Sequence, residues 1–390
     1  MACYISSNDN RFYAALESNF GLAALVTEQN RIPAVKLAVR HETQLPDRRD
    51  KTGGRTFVGL PSGFRKRTTF ELETFLTGWS GPNPEPSYGP LFQAALGSTP
   101  IAFAGRTLQG ITGGTHVAFT AAHGLVADQA VECGGEIRFV SAIVDAQTVI
   151  LNSPFAKTPI AGAQFGPTVT YLPATELPSV SIHDYWDPRE TVQRILAGCG
   201  VDQLRIGVNG DFHQFRFQGI ARDLVDSATH TTGQAGLSTF PVEPAIGAWN
   251  YAIVPGNLGQ AWFGNGTTQF YSVLDAEVIL DNDLESRSRE FGLEGAQCLV
   301  AGRRKVTMNF RLFTNTDPET TALYQAARQR SPVPMMLQLG QQGGQLCGVY
   351  VKGLVPTVPE FDDGDKRLQW RFSGSQAQGV SNDELIVAFG

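Results

Sequence analysis

Arg65-Lys66-Arg67-Thr68-Thr69-Phe70-Glu71-Leu72 and Arg303-Arg304-Lys305-Val306-Thr307-Met308-Asn309-Phe310 are two versions of one stretch, and the chain is organised around them. Leu91-Phe92-Gln93-Ala94-Ala95 follows the first, and Leu323-Tyr324-Gln325-Ala326-Ala327 follows the second. A third match closes each copy: Phe215-Arg216-Phe217-Gln218-Gly219 and Trp370-Arg371-Phe372-Ser373-Gly374. Three matches in one order read as a duplicated unit, which sets the architecture before any other feature does. Arg65 lies 238 residues before Arg303, and Phe92 lies 232 before Tyr324, but Phe217 lies only 155 before Phe372. The first copy therefore carries about 77 extra residues between its second and third landmarks, which places an insertion near 100–175.

The expected fold is mainly β: two tandem β-sandwich or barrel units, each with a short helix, plus a small all-β insertion domain. The boundaries read as 1–100 with 175–230 for a discontinuous first unit, 101–174 for the insertion, 231–272 for a connector and 273–390 for the second unit. In the second unit Ala276, Val278 and Leu280 alternate, as do Val306, Met308, Phe310 and Leu312, which is the period of a half-buried strand. Asp317-Pro318-Glu319 opens a helix, with Asp as N-cap and Pro at the first helical position. In the first unit Val35, Leu37 and Val39 alternate, then Phe70 and Leu72. Phe12, Leu16 and Phe20 at four-residue spacing predict a helix over 9–20. Leu204, Ile206 and Val208, then Asn209-Gly210, then 212–217 predict a tight hairpin. Segments 44–64 and 281–302 read as long loops in equivalent places, 78–90 as an exposed connection and 154–178 as a proline-bearing linker. Glu136 to Val140 and Thr148 to Leu151 predict a hairpin in the insertion.

The chain has 390 residues, enough for two or three domains and a sizeable core. Only 17% of residues are charged, against a typical value of about 25%, and 42 glycines accompany 24 phenylalanines, which fits β-structure with many tight turns. Net charge is −6, so a general nucleic-acid binder is not expected. The charge is uneven. Residues 46–67 hold seven bases, Arg48, Arg49, Lys51 and Arg55 among them, against two acids, a local +5 that leaves −11 elsewhere. The equivalent loop opens on Asp281, Asp283 and Glu285, so opposite charges in equivalent loops predict complementary docking between subunits or rings. Five scattered cysteines (Cys3, Cys133, Cys199, Cys298, Cys347), with no Cys-x-x-Cys pair, read as reduced thiols and give no zinc pattern. The first residues lack a signal-peptide pattern, and no apolar run reaches membrane-spanning length.

Catalytic patterns fail on inspection. Thr120-Ala121-Ala122-His123 resembles the histidine signature of chymotrypsin-like proteases, yet no Gly-Asp-Ser-Gly-Gly follows, and Gly210-Asp211-Phe212 has phenylalanine where the nucleophile belongs. His123 therefore reads as a turn residue. Asp362, Asp363 and Asp365 around Gly364 lack the longer, regular spacing and closing Glu of a calcium loop and read as a plain turn. His213 reads as a solvent-face or interface residue. No phosphate loop or dinucleotide fingerprint occurs, so neither a cofactor nor a metal nor an enzyme activity is expected.

These features resemble the tail tube proteins of tailed bacteriophages, in the version where two tube domains are fused. The resemblance rests on 12–18 (Phe-Tyr-Ala-Ala-Leu-Glu-Ser), Lys51-Thr52-Gly53-Gly54-Arg55, the 65–72 strand, Asp281-Asn282-Asp283-Leu284-Glu285, Gly302-Arg303-Arg304, Gln338-Leu339-Gly340 and Asn382-Asp383-Glu384-Leu385. It implies units that form rings which stack into a hollow tube in the virion tail, assembled in the host bacterial cytoplasm. A fused pair implies a homotrimer with pseudo-sixfold symmetry. The partners implied are the chain itself, other tail proteins, and double-stranded DNA passing through the lumen without specific binding. Four strands per unit give about 24 around the ring, and at roughly 4.8 Å spacing and a tilt near 45° the backbone circle is about 50 Å across. An acidic lumen is expected to repel phosphates, and the insertion to project outward. A baseplate hub or distal tail ring of the same fold is the sibling reading. An enzyme or glycan-binding module in the insertion is the reading of a different class, and it needs exposed aromatics among Phe119, Phe139, Phe155, Phe165 and Tyr171.

Overall fold

The structure is a computed structural model that describes residues 4–43, 45, 50–60, 65–79, 85–246, 251–264, 269–288, 290–292 and 295–390. It is mainly β, with 47% strand against 7% helix, about twice the strand content of an average domain. The first copy opens with β1 (Asn10–Leu16), β2 (Arg31–Ile32), β3 (Ala34–Thr43), β4 (Lys66–Phe75) and α1 (Gly89–Leu96). Seven strands follow: β5 (Ile101–Phe103), β6 (Leu108–Thr112), β7 (His116–Phe119), β8 (Ala130–Cys133), β9 (Glu136–Ile143), β10 (Thr148–Leu151) and β11 (Thr168–Tyr171). The copy closes with β12 (Val180–Trp186), β13 (Arg194–Val208), β14 (Gln214–Ala221) and β15 (Asp223–Asp226). The second comprises β16 (Gly259–Phe263), β17 (Gln269–Phe270), β18 (Val273–Asp281), β19 (Leu284–Arg287), β20 (Cys298–Ala301), β21 (Lys305–Phe313), α2 (Pro318–Gln329), β22 (Val333–Leu339), β23 (Cys347–Val355), β24 (Glu360–Asp362), β25 (Gln369–Ala377) and β26 (Ile386–Phe389).

The repeat is deeper in space than in sequence. β1 pairs with β2 and β12, and β12 with β13, which pairs with β15. In the same order β16 pairs with β17 and β22, and β22 with β23, which pairs with β26. Even a β-bulge recurs, between Ala34 and Lys36 in β3 and between Val273 and Asp275 in β18. One antiparallel sheet then runs through both copies in the order β3-β4-β14-β13-β18-β21-β25-β24. Its inward face is apolar, with Phe70, Leu72, Leu204, Ile206, Phe215 and Phe217 buried in the first copy and Val278, Leu280, Met308, Phe310 and Phe372 in the second. Strict alternation puts these side chains on one face and charged residues on the other.

Each helix closes its copy's core. Asp317 caps α2 by accepting from the Thr320 N–H at 2.6 Å, and Pro318 fills the first position. All eight residues of α1 are buried. Phe92 stands 5.1 Å from Phe215 and 5.2 Å from Phe217, and 5.1 Å from Phe389 of the second copy, so the two copies share one core. Full burial of one such ring stabilises by roughly 1.5–3 kcal/mol.

Several expectations are corrected. The predicted helix over 9–20 is β1, with Phe12, Tyr13, Ala14 and Ala15 all buried between β2 and β12. Residues 12 and 16 share a face in a strand as well as in a helix, and neighbours on both faces decided for the strand. Segment 281–302 is not a plain loop, because β19 and β20 pair within it. The exposed connection at 78–90 ends buried, since Tyr88 is inside and Gly89 opens α1. Segment 154–178 contains β11, and residues 231–272 contain β16 and β17. The 136–151 hairpin is present as β9 and β10.

The inserted strands β6-β7-β10-β9-β8 form a separate five-stranded sheet. β5 and β11 pair with each other, and β11 continues onto β26 of the second copy. The sheet does not stand clear of the fold. Ile137 and Phe139 pack with Met336, Tyr350 and Ile386 of the second copy. Arg138 is fully buried, donates to Gln338 Oε1 and is ion-paired with Glu136. Its guanidinium lies 4.9 Å from the Trp262 ring centre. A buried guanidinium persists only where its donors are matched in this way.

Candidate assembly interface

The parts that join the two copies occur twice in the chain, once paired at the internal junction and once at the ends of the sheet. At the closed end β13 of the first copy pairs with β18 of the second, from Gln203 opposite Asp281 to Val208 opposite Ala276. Beyond β18 the chain turns over the first copy. The Asn282 N–H donates to Asp202 O at 2.8 Å, and the Leu284 N–H donates to Asp202 Oδ1 at 2.7 Å. Asn282, only 2% exposed, donates through Nδ2 to Ala95 O at 2.9 Å and Val201 O at 3.0 Å. The Ala95 carbonyl lies in the last turn of α1, where no intrahelical donor reaches it. Leu284 and Leu299 rest on the bare backbone of Gly200, where a Cβ would stand 2.3 Å from Leu299. Burial raises the Asp202 pKa, although the Leu284 N–H opposes the rise, and the Asp281 and Asp283 charges add to it.

At the open end the same parts lie uncovered. Among the described residues, β3 is paired only with β4, and β24 only with β25. Phe361 on β24 stacks on Trp370 at 5.5 Å, and Trp370 packs on Tyr324 at 5.3 Å. Phe361 is 59% exposed, whereas Ile206, which faces Phe215 as Phe361 faces Trp370, is 0% exposed. In the same copy a cleft of about 740 Å³ is lined among others by Arg303, Arg304, Ala327, Thr357 and Gly374. In the repeat, Ala327 and Gly374 stand where Ala95 and Gly219 stand in the first copy. Gly219 pairs with Val201, so the cleft is the counterpart of the seat that Asn282 fills.

The charged loop residues divide between these ends. Asp281 ends β18 and accepts from the Asp283 N–H at 3.0 Å, Asp283 has a left-handed backbone (φ 51°), and exposed Glu285 is in β19. Lys51 and Arg55 are exposed in the segment after β3. Arg48 and Arg49 lie outside the described residues. Within one chain the structure does not bring the loops together: β3 and β18 are four strands apart in the sheet, about 19 Å.

The polar face of the continuous sheet is balanced rather than acidic. Lys36, Arg40, Arg67, Arg205, Arg216, Lys305, Arg311 and Arg371 alternate with Glu42, Glu71, Glu73, Asp275, Glu277, Asp281, Glu360 and Asp362. Arg205 pairs with Glu277, Arg216 with Glu71 and Glu73, Arg311 with Asp275, and Arg371 with Asp362. These eight bases and eight acids leave this face without net charge.

Other sequence candidates resolve into structure. His123 accepts from the Leu125 N–H through Nδ1 at 2.8 Å, and its Nε2 donates to Asp145 O at 3.0 Å, so both ring nitrogens hold a turn. His213 is buried, not solvent-facing, and its Nε2 donates to Leu258 O at 2.9 Å. Burial lowers its pKa. Asp362, Asp363 and Asp365 sit at the β24–β25 hairpin. No group of three or more potential ligands that could hold a metal occurs among the described residues. Cys133, Cys199 and Cys347 are buried and Cys298 half-buried, all as free thiols, while Cys3 is outside the described residues. Phe119, Phe139, Phe155, Phe165 and Tyr171 are all buried, which leaves the insertion without the exposed rings that glycan stacking needs. No helix among the described residues is long and apolar enough to cross a membrane. Sequence reading missed Asn282, Phe361 and the cleft. A lone Asn between Asp281 and Asp283 was the available signal for the first.

No family model matches the chain, and no curated protein matches it.

Proposed function

We propose that the protein is a structural subunit of a phage tail tube, three copies of which form a pseudo-sixfold ring that stacks around a passage for DNA. The observation that carries this reading is the eight-stranded sheet, which contains one closed copy-to-copy junction and ends in two open edges. Three such sheets supply about 24 strands, enough for a backbone circle about 50 Å across. The balanced polar face suits such a passage. Cations already held by carboxylates offer a phosphate backbone little net attraction, so a duplex slides instead of adhering.

The test is light-scattering mass with negative-stain electron microscopy of the purified chain. Rings of about 127 kDa, three times the 42.2 kDa chain, or hollow tubes with that repeat, are expected. Long polymers assign it to the tube, and discrete rings to a hub or distal tail ring. A chain that stays monomeric even on a tail-tip complex removes the reading.

A further inference from the structure

We infer that the open edge of the second copy is the docking site for a second copy of this chain, which lays its β3 along β24 and sends residues 43 and 45 into the cleft beside Arg303 and Ala327. The inference rests on the ring reading and gives it a register. Val39 pairs with Phe70 as Val278 pairs with Met308, and Phe70 and Met308 are equivalent in the repeat. Val39 therefore corresponds to Val278, Thr43 to Asn282 and Leu45 to Leu284, and the shared bulge fixes the same offset independently. On the other strand Glu360 pairs with Arg371 as Arg205 pairs with Arg216.

Transferring the β13–β18 register then puts Glu360 opposite Arg40 of the next chain, Phe361 opposite Val39 and Asp362 opposite Ala38. Charge agrees with this geometry. Glu360 meets Arg40 directly, and Asp362 has Arg40 and Lys36 on its diagonals, an arrangement that favours antiparallel pairing. Burial agrees as well. Phe361 is covered at the position where Ile206 is already covered, and Leu45, 63% exposed in the single chain, gains the seat that Leu284 has on the first copy.

The test is cysteine cross-linking of the assembled full chain. The double variant Ala38→Cys/Asp362→Cys puts thiols opposite each other across the proposed junction. Glu42→Cys/Asp362→Cys displaces one by four residues, about 13 Å. Under mild oxidation the first is expected to give covalent dimers and closed trimers on non-reducing gels at least ten-fold above the second and above the unmodified chain. Leu45→Asp, at an exposed site, is expected to cut the assembled fraction several-fold while leaving the monomer's unfolding midpoint unchanged. Rings without in-register cross-links overturn the register but leave the ring reading standing. Absence of any assembly overturns both.

Discussion

Asn282→Ala is the sharpest test of how the two copies are joined. The side chain is buried and its amide satisfies two carbonyls, Ala95 O on α1 and Val201 O on β13, at 2.9 and 3.0 Å. Alanine removes both donors and leaves two buried acceptors without partners. At roughly 1–3 kcal/mol for each orphaned group, offset by water that enters the vacated space, a loss of about 2–4 kcal/mol is expected. Asn282→Asp keeps the shape but replaces the NH₂ by a second acceptor facing those carbonyls, within a neighbourhood that already holds Asp202, Asp281 and Asp283. It is expected to cost more than alanine at pH 7 and to recover towards it in acid, as the carboxyl takes a proton and donates again. Urea midpoints followed by tryptophan fluorescence measure the pair, and hydrogen exchange at β13 and β18 locates the loss. A cost below about 0.5 kcal/mol for alanine, or an aspartate variant as stable as the alanine one, would refute the assigned role.

Three further outcomes follow from the same contacts. The Asp202 pKa is raised, so its ionised form is the less stable one in the fold; its stabilisation is complete below the unfolded carboxylate value and is lost as pH rises through the folded one. Asp202→Asn, which keeps the acceptor for Leu284, is expected to raise the midpoint at pH 7 and flatten its dependence in weak acid; a lower midpoint at pH 7 would contradict this. Burial lowers His183 from its ordinary 6.5 to about 4, so its contribution is full above 6.5 and is lost as pH falls towards 4. That range amounts to about 3 kcal/mol, and His183→Gln, read as midpoint against pH, is expected to remove most of the slope. Arg138→Leu removes a tie of the insertion to Gln338 of the second copy and leaves the insertion's own Glu136 without its cation. A cost of about 3–5 kcal/mol is expected to appear as faster proteolysis and exchange within β6 to β10, with β3 and β4 unaffected.

The duplication and the insertion were legible because they rest on order and offset, which survive sequence drift. Alternation gave β4, β18 and β21, each with one wet and one buried face. β1, β12 and the first half of β13 were not legible in the same way. One face is covered by the shared core and the other by the segment around 235–243, so Phe12 to Ala15 and Val180 to Tyr185 carry no period to read. His213 failed for a related reason. Its strand alternates, but its ring lies beyond the hairpin turn, where Leu258 from the second copy covers it. The loop charges at 281–285 were visible, while the side chain that ties this loop to the first copy is the uncharged Asn282. Asn282 works through two carbonyls that only the fold brings within reach.

In the proposed assembly, the two open edges let one chain wait and still pair in a single way. An exposed strand edge invites any other edge. Here β24 has only three residues and two of them are acids, while β3 is bent by its bulge and presents Lys36 and Arg40. β24 against β24 sets carboxylate against carboxylate, so that like pairing is disfavoured. The mixed pairing sets Glu360 against Arg40 and covers Phe361. It is also heterologous, so each added copy presents the same open edge again, and growth stops only when the rotation closes a ring. The internal junction needs none of these devices, because the covalent connection holds β13 and β18 at high effective concentration. That accounts for Ile206 and Phe215 on the tethered side where the free side has Phe361 and Trp370. Under the proposed docking, the untethered junction finds its partner from solution, and its larger aromatic surface supplies the driving force that the tether provides inside the chain.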